Sequence, residues 1–149
     1  MNQKFLDLAF KYAKKAYDLG EIPIGAVIVK DNKVISYGYN TKEKNNNVLK
    51  HAELIAIEKA SKKLNNWRLD GCDIYITLDP CPMCASAIHQ ARINNVYSAL
   101  NNSNSKNLDI INNIFEKDKT NPKTNFISNV SRETSKELLN DFFSIKRDK

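Results

Sequence analysis

Apolar residues recur at helical spacing over residues 2–19, where Phe5, Leu8, Ala9, Tyr12, Ala13 and Ala16 are interleaved with lysines. The pattern predicts an amphipathic helix ended by Gly20. Pro23–Val29 is a continuous apolar, partly β-branched run, the mark of a strand buried on both faces. Asp31-Asn32 signals a turn, and Lys33–Tyr39 reads as the returning strand of a hairpin. The polar stretch 40–50 predicts a loop. Leu54, Ile55, Ile57 and Ala60 then predict a helix from His51 to Lys63. A strand follows at Asp73–Leu78, a helix at Met83–Ala91 and a short strand at Asn94–Ala99. Beyond a low-complexity loop at 101–107 the pattern predicts a helix at 108–116 and a short strand at 125–130. Ser131 with Thr134 caps a last helix carrying Leu138, Leu139, Phe142 and Phe143. Strands alternating with helices, with no repeat or boundary across 1–149, predict one layered α/β domain.

Composition narrows this picture only where it touches chemistry. With 42% hydrophobic and 27% charged residues the chain is globular rather than disordered. No apolar run approaches the roughly 20 residues needed to cross a bilayer. The N-terminus lacks a signal-peptide pattern, so no membrane partner and a cytoplasmic location are expected. The three cysteines are an odd number, and two of them form Cys81-Pro82-Met83-Cys84. In a reducing compartment that spacing reads as metal or redox chemistry, not as a disulfide framework. A net charge of +6 with a pI near 9.2 suits either a polyanionic partner or a solubilising lysine surface.

A C-x-x-C pair alone fits a redox pair or a structural zinc site as well as a catalytic one. An isolated H-x-E carries little information. Together they say more, because His51-Ala52-Glu53 opens one helix and Pro80-Cys81-Pro82-Met83-Cys84 lies between a strand and another. Catalytic zinc usually takes three protein ligands and an open fourth position. His51, Cys81 and Cys84 supply that set, and both segments fall at helix starts, where thiolate is favoured. In mid-helix His51 and Glu53 would diverge, whereas at a first turn an ion beyond the helix end is within reach of both. Glu53 need not be a ligand, since a carboxylate beside a metal-activated water serves as a general acid–base. A structural site would want a fourth ligand. Cys72 reads instead as a small buried apolar residue, and His89, about 140° round the helix from Cys84, as an ordinary helix residue.

With these residues in view, the chain resembles the zinc-dependent deaminases of bases and nucleosides, and among them the bacterial tRNA adenosine deaminases. The resemblance rests on Gly20-Glu21-Ile22-Pro23-Ile24-Gly25-Ala26-Val27, Gly38-Tyr39-Asn40, His51-Ala52-Glu53, Asn66-Trp67-Arg68-Leu69, Thr77–Cys84, Ala91-Arg92-Ile93 and Asp141-Phe142-Phe143. It implies a three-layer α/β/α cytidine-deaminase-like fold with a five-stranded mixed sheet, usually a homodimer, with one zinc per chain and no nucleotide cofactor. It implies hydrolytic conversion of adenosine to inosine at the wobble position of a tRNA anticodon loop. His51, Cys81 and Cys84 would hold the zinc that activates water, and Glu53 would shuttle the proton. Asn40 would hydrogen-bond the base, Ile24 would line its pocket, and Lys146 and Arg147 would contact phosphates.

Two departures stand out, the first touching hydrogen bonding in the metal loop with zinc ligation kept, the second touching substrate recognition. Asp79 stands where these enzymes generally have Glu, and the Gly-rich stretch expected after Ala99 is replaced by Leu100-Asn101-Asn102-Ser103-Asn104-Ser105. The alternatives left open are a deaminase of a free base or nucleoside (guanine, cytosine or cytidine) and an inactive RNA-binding or scaffold subunit.

Overall fold

The run Gly25–Lys30 forms β1, an interior strand of the sheet, and its alternating side chains divide the core in two. Val27 and Val29 face one way, against Phe5, Leu6, Ala9 and Phe10 of α1 (Gln3–Asp18). Ala26 and Ile28 face the other way, into a larger cluster with Ala52, Ala56, Ile74, Ile76 and Ile88. A computed structural model of the chain describes residues 1–101, 105–130 and 140. Among them no helix is long and apolar enough to cross a membrane.

β2 (Lys33–Tyr39) returns antiparallel to β1 through a turn in which Asp31 and Asn32 both take positive φ. β3 (Cys72–Leu78) pairs antiparallel with the other edge of β1. β4 (Asn95–Leu100) and β5 (Asn125–Ile127) then add in parallel, giving the order β2-β1-β3-β4-β5. Parallel neighbours need crossovers, and two helices supply them: α4 (Pro82–Gln90) and α5 (Ser105–Phe115). The expected five-stranded mixed sheet with helices on both faces is the fold observed.

Most element ends shift by one residue from the sequence pattern, β5 stops at Ile127 rather than 130, and three further differences are larger in consequence. The first strand starts at Gly25 rather than Pro23. The stretch 40–50 is not all loop, since α2 occupies Lys42–Asn45. α5 begins at Ser105, inside the expected polar loop, and buries Ile111 and Phe115. The last helix expected from Ser131 onward, with Phe142, Phe143, Lys146 and Arg147, lies outside the described residues.

Two glycines set how closely helices approach the sheet. A Cβ on Gly25 would run into the Ala9 carbonyl oxygen of α1. A Cβ on Gly38 would run into that of Ala52, the first residue of α3 (Ala52–Leu64). The start of α3 is therefore seated directly on β2, one residue from His51.

Candidate metal centre

Two helix N-termini meet at one point, and each starts in a way that frees its first side chain. His51 is the N-cap of α3, with extended backbone, and its carbonyl accepts the first helical N–H, from Ile55, at 3.0 Å. Cys81 is the N-cap of α4, and its carbonyl accepts from Ala85 at 2.9 Å. An N-cap side chain ordinarily turns back to bond the orphan amides of the first turn. Neither of these does. In α3 the Ala52 N–H is taken by the side chain of Asn40, at 2.8 Å. In α4 the first helical position is Pro82, which has no N–H to satisfy.

The freed side chains converge. His51 Nδ1 lies 3.8 Å from Cys81 Sγ and 3.5 Å from Cys84 Sγ. The three donor atoms all fall within 4.8 Å of one another. Tetrahedral zinc at about 2.3 Å from sulfur and about 2.0 Å from nitrogen sets its ligands roughly 3.6 Å apart. The donor set fits zinc in both spacing and softness, two sulfurs and an imidazole nitrogen. Cys72 and His89 stand apart from it. Cys72 is fully buried in the larger core cluster, and His89 is bonded to Thr124 and Asp118.

Glu53 follows in the first turn of α3 and is only 3% exposed. As an N-cap, His51 leaves the helix on its own course, so the divergence expected in mid-helix does not arise. Burial is the main reason the Glu53 carboxyl is pushed up to about 7. The Cys81 sulfur adds to that, while the Glu53 backbone N–H and the Cys84 thiol oppose it. Oε1 is buried with no hydrogen-bond partner. A buried acceptor left open beside a metal-ligand cluster is poised for a group that arrives later.

The two sulfurs are not equivalent. The Cys84 thiol donates to Cys81, and with the N–H groups of Cys84 and Met83 and the nearby His51 this outweighs burial and draws Cys81 down to about 5. Cys84 is pushed up, first by Cys81, then by burial and by Glu53. Without metal the pair shares one proton, held on Cys84.

Other candidate positions flank this cluster. Asn40 is buried just after β2, its backbone N–H bonded to Ile24 O at 3.2 Å and its Oδ1 committed to Ala52. Ile24 is half-buried and packs on the larger core cluster. Asp79 is buried after β3, where Oδ1 accepts the Ser128 hydroxyl at 2.6 Å and Oδ2 has no partner. Lys146 and Arg147 lie outside the described residues.

Residues 1–100 match the family model for the cytidine and deoxycytidylate deaminase zinc-binding region. Among curated proteins, the chain is 34% identical over 148 residues to the tRNA-specific adenosine deaminase of Bacillus subtilis, covering 99% of this chain and 92% of that one. It is 49% identical over 94 residues to the chloroplastic tRNA(adenine(34)) deaminase of Arabidopsis thaliana, 63% of this chain and only 7% of that longer protein. Among solved structures, a tRNA:A34 deaminase superposes with a TM-score of 0.78 at 32% identity, covering 92% of this chain and 99% of that one. A guanine deaminase from Bacillus subtilis superposes with a TM-score of 0.67 at 32% identity, covering 99% and 95%.

Proposed function

The chain belongs to the cytidine and deoxycytidylate deaminase family, and from that premise we propose that it converts adenosine to inosine at the wobble position of a tRNA anticodon. The observation that carries the chemistry is the meeting of His51, Cys81 and Cys84 beside a buried carboxyl with an open oxygen. What carries the substrate is likeness over nearly the whole chain to tRNA-specific adenosine deaminases. Residues 1–149 act as a single deaminase domain in this reading, working as a homodimer in the cytoplasm.

Zinc, when bound by His51, Cys81 and Cys84, acts as a Lewis acid that makes water a nucleophile near neutral pH. The chain's own residues do the rest. Glu53 takes a proton from the attacking water at its open oxygen and returns it to the departing amine. Water's oxygen joins C6 of the base, the C6–N bond breaks, and ammonia leaves. A carboxyl near pH 7 is matched to both halves of that transfer. Asn40 orients the base through Nδ2, since its Oδ1 already accepts from the Ala52 N–H and both Nδ2 donors are left for the base. Ile24, joined to Asn40 through the backbone, lines the apolar wall of the pocket. Lys146 and Arg147 serve as phosphate contacts on sequence grounds. An anticodon loop is where extruding a base is cheapest, since it is already unpaired.

The guanine deaminase likeness favours a second reading, a free-purine substrate on the same zinc site. One experiment separates the two. The protein is incubated with transcribed tRNA, adenosine, cytidine and guanine, and each deaminated product is measured. Inosine in tRNA alone is expected, and xanthine from guanine with no change in tRNA would replace this reading with the second.

A further inference from the structure

Glu21 lies outside the metal centre, on the segment leading into β1, and is only 2% exposed. A carboxylate taken out of water needs hydrogen-bond donors. Glu21 finds two in the backbone of α2. Oε1 accepts the Glu43 N–H at 3.0 Å and Oε2 the Lys44 N–H at 2.8 Å. Both amides belong to a first helical turn, so neither has a partner inside the helix. One side chain thus fixes a segment 22 and 23 residues away from it.

That segment is the excursion from Asn40 to His51. Its feet are closed independently of Glu21, by Thr41 N–H on Lys50 O at 3.1 Å and by Asn40 Oδ1 on Ala52. Its outer edge is open: Val48 is 64% and Leu49 55% exposed. Lys42, Lys44 and Lys50 share this excursion, and none forms an ion pair with another described residue. Exposed apolar side chains among unpaired ammonium groups suit single-stranded RNA, whose bases need apolar contact and whose phosphates need cations. A nucleotide that delivers its base to Glu53 brings its neighbours across this rim.

We propose that Glu21 is a positioning residue whose buried carboxylate clamps the 41–50 rim and so sets the grip on the RNA flanking the reacting base. What the rim holds rests on the tRNA reading, whereas what Glu21 holds rests on geometry alone. Because Asn40 secures the start of α3 separately, loosening the clamp weakens binding and leaves the metal centre in place.

Glu21→Gln and Glu21→Ala test this through zinc content, kcat and KM on tRNA, and amide exchange at Glu43 and Lys44. Exchange at both amides should be protected in the unaltered protein and accelerate by about tenfold or more in both variants. KM for tRNA should rise by roughly tenfold in Glu21→Ala and less in Glu21→Gln, which keeps one acceptor oxygen, while kcat stays within about twofold. Zinc should remain at one per chain. An unchanged KM with accelerated exchange would overturn the grip. Lost zinc or a lower kcat at unchanged KM would make Glu21 part of the metal scaffold instead. Unprotected amides in the unaltered protein would overturn the clamp, even if the variants failed to fold. Absence of tRNA deamination by the unaltered protein would count against the proposed substrate, and the exchange result would still decide what Glu21 holds.

Discussion

Glu53 and His89 are two buried ionisable side chains at opposite ends of the helical layer, one in the first turn of α3 and one in the last turn of α4. At 3% and 4% exposure they are equally cut off from water. Their partners differ. Glu53 leaves Oε1 open. His89 has both ring nitrogens engaged, Nδ1 with Thr124 Oγ1 at 2.9 Å and Nε2 with Asp118 Oδ2 at 3.3 Å. A carboxylate oxygen only accepts, so Nε2 carries a proton there. Asp118 is itself held well below the usual carboxylate range by the Asn121 side chain and the N–H groups of Thr120 and Asn121. His89 therefore fastens the segment after α5 to the end of α4. Burial alone does not separate these two groups; what separates them is that Glu53 leaves an oxygen open beside the metal ligands and His89 is satisfied.

Removing the open group should cost the most activity. Glu53→Gln keeps the shape of the side chain and loses the acid–base function, so kcat should fall by about 10² or more while zinc stays at one per chain. Inosine formed per bound zinc measures it. A variant that turns over normally would mean that the open oxygen marks nothing catalytic.

The next effect is on stability. Zinc-free protein carries the burden of a carboxyl raised from 4.5 to about 7. A carboxyl that holds its proton more tightly folded than unfolded favours the folded state while that proton is bound. Its contribution is complete below about pH 4.5 and is lost as pH rises through about 7. A rise of about 2.5 pH units at about 1.4 kcal/mol each comes to roughly 3–4 kcal/mol. Relative to Glu53→Gln, zinc-free unaltered protein should lose about that much stability between pH 4.5 and pH 8. Taking the difference between the two proteins removes most of the opposite trend from Cys81, which gains stability above its depressed value of about 5. A difference that does not change with pH would mean Glu53 is better satisfied than its open oxygen implies.

The contrast also explains what could be read along the chain. The metal centre was legible because its cues are local. His-Ala-Glu sits just ahead of the Leu54, Ile55, Ile57 periodicity, and prolines flank Cys81 on both sides, which marks the helix start. The features that escaped are held by distant partners. α2 has four residues and no buried side chain, so no apolar period announces it, and its cap comes from Glu21. The cue available was a lone acid directly abutting the apolar run that becomes β1. Asn40 falls in the predicted 40–50 loop and matches a base contact by resemblance, and its hold on Ala52 shows only in three dimensions. α5 starts among Asn and Ser residues of weak helix propensity, and its buried anchors, Ile111 and Phe115, lie in its second half. His89 and Thr124 are 35 residues apart, beyond any periodicity.

His89→Ala is the smallest of the three tests and the one that most directly opposes structure to catalysis. The substitution strands the buried Thr124 hydroxyl and opens space beneath the 116–124 segment, while half-exposed Asp118 can turn to water. Stranded buried polar groups and small cavities together should cost about 2 kcal/mol. Denaturant unfolding of zinc-loaded protein would measure it. The metal ligands stand at the other end of α4, so kcat per bound zinc should stay within about threefold. That pairing is the reverse of Glu53→Gln, which loses turnover and, in the zinc-free state, gains stability relative to the unaltered protein as pH rises past neutrality. If His89→Ala instead loses turnover at full zinc occupancy and unchanged stability, the satisfied histidine reaches the chemistry through α4, and hydrogen-bond satisfaction ceases to separate the two ends.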